Sequence, residues 1–262
     1  MSLDFFPWSP WVISLALVIS LGAGVVRGFA GFGYAGLTVA GLALMVTPST
    51  VVPAVLAVEV IASLSLARGG GGDIDKVWLK HLVWGNLIWL PVGLLLLASM
   101  PLHSLALMVS LVILLAAVSV RIFSQWRMAH SKRLMRAAGL ACGLLNGLTA
   151  SGGLAAAMLM TASGMPVRAL RSTMVILLLF AGTYGLLCAS LIPSQTGQAM
   201  LHAHTWKWVV LLTPTMLLGV RLGRRWYEAG AHRDHRSAVL HLLILISGIG
   251  VVRGLLQALQ AS

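Results

Sequence analysis

The chain has 262 residues, of which 59% are hydrophobic and only 9% are Asp, Glu, Lys or Arg, against about a quarter charged in soluble domains. That composition excludes a water-soluble globular domain. A net charge of +12 does not point to nucleic acid either, because the basic residues lie between apolar runs, where Lys and Arg mark the cytoplasmic side of a membrane.

The first apolar stretch, Trp11 to Val46, follows Asp4 with no basic residue before it. It lacks the n-region of a signal peptide and is expected to remain as a membrane segment. Arg27 and a cluster of glycines interrupt it. A straight helix of this length would exceed about 50 Å, against about 30 Å of hydrocarbon. A hairpin of two short helices is therefore predicted, turning at the glycines, which accept backbone angles closed to other residues. Irregular backbone at membrane depth must be surrounded by protein or a wet cavity, so the turn belongs inside the molecule. Runs near 50–67, 78–98 and 102–123 predict three ordinary spans. The four glycines at 69–72 read as a flexible cytoplasmic connection.

A basic joint, RIFSQWRMAHSKRLMR at 121–136, precedes a second long stretch, Leu134 to Gly164, interrupted from Thr149 to Gly153. Runs follow near 170–191, 204–222 and 238–256. Both halves thus have one broken segment and then three spans. Sliding one over the other by 119 residues pairs Gly24 with Gly143, Arg27 with Asn146, Gly28 with Gly147 and Gly33 with Gly152. Identity between the copies is weak, but the small-residue break recurs at the same place in the same hydropathy order.

Charge sets the orientation. If each broken segment enters and leaves on one side, the joints 68–80, 121–136, 164–171 and 221–236 share a face that collects fifteen of the eighteen basic residues. That face is cytoplasmic and both termini lie outside. The predicted fold is all-α and transmembrane, a single domain over 1–262. It consists of two inverted repeats, about 10–123 and 134–256, each a broken helical hairpin followed by three membrane-spanning helices. Inverted repeats with interrupted helices are the mark of secondary transporters, whose substrate sits between the repeats.

The strings GVVRGFAGFGYAGLTVAGLAL at 24–44, AVLAVEVIASLSLA at 54–67, GLLNGLTASGGLAAAMLM at 143–160 and GMPVRALRSTMVILLLF at 164–180 resemble the TauE/SafE sulfite exporter family, also called the 4-toluene sulfonate uptake permeases. The resemblance covers nearly the whole chain. It implies a membrane permease for sulfite, sulfonates or related organosulfur anions, in the bacterial cytoplasmic (inner) membrane and working by alternating access. Thr149-Ala150-Ser151 stands where the family pattern is richer in Gly and Phe.

The breaks suit an anion on chemical grounds as well. A helix that starts inside a membrane presents free N–H groups and the positive end of its dipole. Candidate substrate-binding residues at the first break are Gly28, Gly31, Phe32 and Gly33, and at the second Gly152 and Gly153, with hydroxyls from Thr149 and Ser151 and an amide from Asn146. The alternative is that the glycines serve close helix packing and the hydroxyls bond their own backbone. Arg27 ends the first half-helix, where a guanidinium can pair bidentately with an oxyanion, snorkel, or pair with a carboxylate. Glu59 is the only acidic residue in a predicted span, at a cost of about 2.5–3.5 kcal/mol if charged at mid-bilayer. It is expected to pair structurally with Arg27 or, second, to titrate as a proton-coupling site. Arg171 guards the cytoplasmic mouth or anchors topology.

Other features carry no chemistry of their own. Trp8, Trp11, Trp206 and Trp226 lie near segment ends, where aromatic belts form. His202 and His204, or His232 and His235, lack the partners of a metal site. Cys142 and Cys188 sit in apolar runs, which argues against a disulfide or redox motif. No metal, cofactor, nucleic-acid partner or ATP-binding loop is expected, and the chain does not read as an enzyme. Its partners are a small anion and membrane lipid; proton coupling and a homo-oligomer are compatible with the sequence. An inside-negative potential favours anion exit by about 2.3 kcal/mol per charge per 100 mV, so export is preferred over uptake. The competing readings are a passive anion channel, a non-transporting membrane subunit, and an intramembrane serine protease using Ser151 with His241.

Overall fold

The computed structural model describes residues 8–43, 45–67, 73–100, 111–112, 114–115, 118, 131–193, 200–201 and 203–229. Among them there is no β-strand, and eight helices follow in order: α1 (Pro10–Ala30), α2 (Tyr34–Leu42), α3 (Pro48–Ala67), α4 (Lys76–Ser99), α5 (Lys132–Thr149), α6 (Gly152–Ala162), α7 (Val167–Leu191) and α8 (Ala203–Glu228). Four of these, α1, α3, α4 and α7, are long and apolar enough to cross a bilayer. At 26 residues α8 has the length, but it ends in Arg221, Arg224 and Arg225. The expected spans at 102–123 (but for a few residues) and 238–256, the Gly69–Gly72 connection, and His202, His232, His235 and His241 lie outside the described residues.

Both long stretches are broken where the glycines and small polar residues fall. The first ends at Gly31 (φ 83°) and restarts after Gly33 (φ 97°), two left-handed positions that an L side chain disfavours. The second breaks at Ala150 and Ser151, and Ala150 is left-handed at φ 53° despite its side chain. Such a conformation costs about 1–2 kcal/mol. In the first hairpin α2 runs back along α1: a methyl on Gly33 would meet Val26, and one on Gly41 would meet Ile19. In the second, Gly152 lies against the Cys142 carbonyl and the Asn146 side chain.

The hairpins differ from the two short helices predicted, because the first arm of each is long. The first arms have 21 and 18 residues and the returning arms 9 and 11. All of α2 and most of α6 are buried, so neither returning arm has to present a lipid-facing surface. Pro48 opens α3 directly after a non-helical Thr47, consistent with the bias against helix before proline. Gly164 (φ 79°) turns the chain after α6.

Glycine sets the tightest packing. On α1, Gly24 and Gly28 lie against α8 backbone at Met216 and Val220; on α5, Gly143 and Gly147 lie against α4 backbone at Gly85 and Leu90. Among the described residues the α1–α8 and α4–α5 contacts are the most extensive, and α3 packs on both α7 and α8. Trp11 (73% exposed), Leu191 (75%) and Val210 (64%) are among the large apolar side chains that face outward, the pattern of a lipid-facing surface. Trp206 and Trp226 are also exposed. Trp8 departs from the belt expectation, because its ring packs 4.2 Å from that of the buried Trp208.

Candidate functional site

The first break is organised by a buried ion pair. Arg27, in the last turn of α1, is fully buried, and its Nε lies 3.2 Å from Glu59 Oε2 on α3. Its Nη1 donates to the Gly31 carbonyl, and Nη2 donates to Ser63 Oγ at 2.7 Å. The other carboxylate oxygen of Glu59 accepts the Ala35 N–H of α2 at 3.2 Å. Glu59 therefore meets two positive features at once, the guanidinium and the N-terminus of a helix starting inside the protein. The geometry pairs Arg27 with Glu59. An amide N–H at the start of α2, of the kind expected for an external anion, is here taken by the protein's own carboxylate.

Around this pair, Tyr34 Oη lies 3.1 Å from Ser20 Oγ, and Ser20 donates to the Leu212 carbonyl at 2.9 Å. These bonds join α2, α1 and α8. Phe32 is half-buried and packs against both apolar clusters of the core. Arg171, on the first turns of α7, donates to the Gly28 carbonyl. Its guanidinium carbon lies 4.0 Å from the centroid of the Tyr227 ring, which also makes an edge contact with Phe29. A methyl on Gly31 would strike the Arg171 side chain. Arg171 thus ties the basic start of α7 to the first break and to the end of α8.

The second break is polar without being charged. Thr149 Oγ1 and Ser151 Oγ are 2.5 Å apart, and the threonine also bonds the Leu145 carbonyl at 3.0 Å. Asn146 Nδ2 donates to Asn86 Oδ1 on α4 at 2.8 Å, and Asn86 Nδ2 donates to the Leu82 carbonyl. The buried, free Cys142 sits beside both amides. Gly152 and Gly153 open α6, the latter against Met174 and Leu178 of α7.

The two breaks meet. A methyl on Gly36, at the start of α2, would lie 3.5 Å from Ser151 Cβ and 3.0 Å from Leu154 Cδ1 on α6. Arg27, Gly31, Phe32 and Gly33 gather at the first break, and Asn146, Thr149, Ser151, Gly152 and Gly153 at the second. Gly28 is different: its Cα faces α8, and its carbonyl rather than its N–H is engaged. Ser63, Ser20, Asn86 and Tyr227 belong to the same network and were absent from the sequence-based set. Ser63 lies one helical turn beyond Glu59, a spacing that places two side chains on one face. Asn86 is an amide in an apolar span, which signals an interhelical bond.

A family model described as Sulfite exporter TauE/SafE matches residues 16–251, nearly the whole chain. No curated protein matches, and no solved structure does.

Proposed function

The chain belongs to the sulfite exporter TauE/SafE family, and on that premise we propose that it is a secondary transporter that moves sulfite, a sulfonate or a related small organosulfur anion out across the bacterial inner membrane. The substrate is held between the two breaks. The contact of Gly36 with Ser151 and Leu154 carries this reading, because it brings the two helix starts together, with the Thr149–Ser151 hydroxyls on one side and the Arg27–Glu59 pair at the start of α2 on the other.

Two inverted repeats are part of the proposal. Exchanging α1–α4 with α5–α8 carries the α1–α8 packing onto α5–α4 and maps α3–α7 onto itself. It also carries Gly28 on the Val220 carbonyl onto Gly147 on the Leu90 carbonyl. Opposite orientation is supported by the basic start of α5, with Lys132, Arg133 and Arg136, against a start of α1 that has no basic residue. Alternating access then means that the Arg171–Gly28 and Arg171–Tyr227 contacts, which close the cytoplasmic side of the first break, release to admit substrate.

Arg27 and Glu59 supply the exchange chemistry. While Glu59 is ionised it satisfies Arg27 and the start of α2. When a proton neutralises it, or it swings aside, the guanidinium and the Ala35 N–H can take up an oxyanion instead. Thr149 and Ser151 complete the cradle by turning hydroxyls from each other toward the substrate. Anion exit runs with the membrane potential, so proton movement through Glu59 gates the cycle without having to drive it.

The test is counterflow into proteoliposomes containing purified protein, with sulfite, sulfonates, thiosulfate and small carboxylates as competitors. Saturable flux with competition between sulfite and sulfonates is expected. Non-saturating flux would establish a channel, and no flux of any anion would sink the transport reading.

A further inference from the structure

On the opposite side of α4 from the core, α4 and α5 run side by side in the same direction. Gly85 lies against Gly139, and Gly147 further along lies against Leu90 and Gly93. Close approach of the two backbones leaves an open groove of about 400 Å³ between the side chains that flank them. At its upper end are Lys80, His81 and Arg136. Lys80 and Arg136 each sit one turn into a helix, so the two cations lie at nearly the same level; above them the start of α4 is capped by the Asp75 carboxylate and that of α5 by the Ser131 hydroxyl. Among the described residues, no carboxylate lines the groove. Below the cations the lining turns apolar, with Trp84 (57% exposed), Ile88 (59%) and Leu140 (41%).

None of these residues takes part in the site at the breaks. Two cations with a histidine at one end and an outward apolar wall at the other match an amphiphile with an anionic head and hydrocarbon tails. A soluble anion uses only the upper part, and a zwitterionic lipid leaves the cations uncompensated. We propose that this groove is a binding site for one anionic phospholipid, with the phosphate between Lys80 and Arg136 and an acyl chain along Trp84 and Ile88. The site stands whether or not the transport reading does, since it needs only a chain embedded in a bilayer.

Native mass spectrometry and thermal unfolding of the detergent-purified chain test it, using phosphatidylglycerol, phosphatidylcholine and glycerol phosphate as probes. Wild-type protein is expected to retain phosphatidylglycerol and to be stabilised by it, with little response to phosphatidylcholine or glycerol phosphate. Lys80→Gln with Arg136→Gln should weaken phosphatidylglycerol binding about thirtyfold, the factor expected for removing two cations near an anionic lipid. Arg168→Gln with Arg221→Gln removes the same charge from exposed positions elsewhere and should leave binding unchanged. Equal response of the wild type to both lipids overturns the proposal without any variant. So does full stabilisation by glycerol phosphate, which would mark a free-anion site, or equal loss in both double variants, which would mark unspecific attraction.

Discussion

Removing the carboxylate of Glu59 should damage the fold severely. Arg27 is 0% and Glu59 3% exposed, so Glu59→Leu leaves a buried guanidinium with no counter-charge. Breaking a buried pair from one side costs about 3–5 kcal/mol. The Ala35 N–H loses its acceptor in the same step, a penalty of about 1–3 kcal/mol when such a donor stays unsatisfied. Arg27→Met should cost a similar amount by orphaning the carboxylate, and it also frees the Gly31 carbonyl and Ser63. The double variant removes both charges together. Because a buried pair replaced by apolar groups of like volume is often close to neutral, the double should be no less stable than either single. The coupling energy is then at least about 3 kcal/mol. Denaturant or thermal unfolding of the four proteins in one detergent gives the cycle. Additive losses, or a Glu59→Leu protein as stable as wild type, would refute the claim that these two side chains form one unit.

Flux of a fully ionised sulfonate through Glu59→Gln should lose the dependence on pH that wild-type flux shows, measured in proteoliposomes at fixed potential; matching profiles would remove Glu59 from the exchange. Thr149→Val with Ser151→Ala should raise the half-saturating substrate concentration about tenfold or more, as expected for losing hydrogen bonds to an anion of about 1.5 kcal/mol or greater, with unaltered yield on size-exclusion chromatography. Gly28→Ala and Gly147→Ala should each destabilise by about 1–3 kcal/mol, since the added methyl meets a backbone carbonyl across a helix interface. Gly22→Ala, where nothing lies within 4 Å, should stabilise by up to about 1 kcal/mol. Equal behaviour of the three would show that helix contact does not decide these glycines.

The breaks were legible in the sequence because glycine and small polar residues interrupt an apolar run too long for one span, and the structure turns at Gly31–Gly33 and Ala150–Ser151. The Arg27–Glu59 pair was legible for a similar reason: one acid and one base in otherwise apolar segments have few alternatives to each other. The unequal arms were not, since hydropathy marks where apolar chain runs and not where it is enclosed. Nor was the bond from Arg171 to Gly28, 143 residues apart, because no local pattern records which helix ends converge. Gly28 reads equally well as a ligand or a packing residue in sequence, and only its approach to Val220 separates the two.

The carboxylate of Glu59 at the start of α2 has a bearing on affinity. A group covalently attached beside a site competes at an effective concentration in the millimolar range or above, so it acts as a tethered rival to any soluble anion that uses Arg27. Dilute ions would seldom displace it, and a transported anion would be ejected as soon as it returned. On the proposed function, such a carrier holds its cargo loosely, stays idle at low load, and turns over fastest when the anion has accumulated.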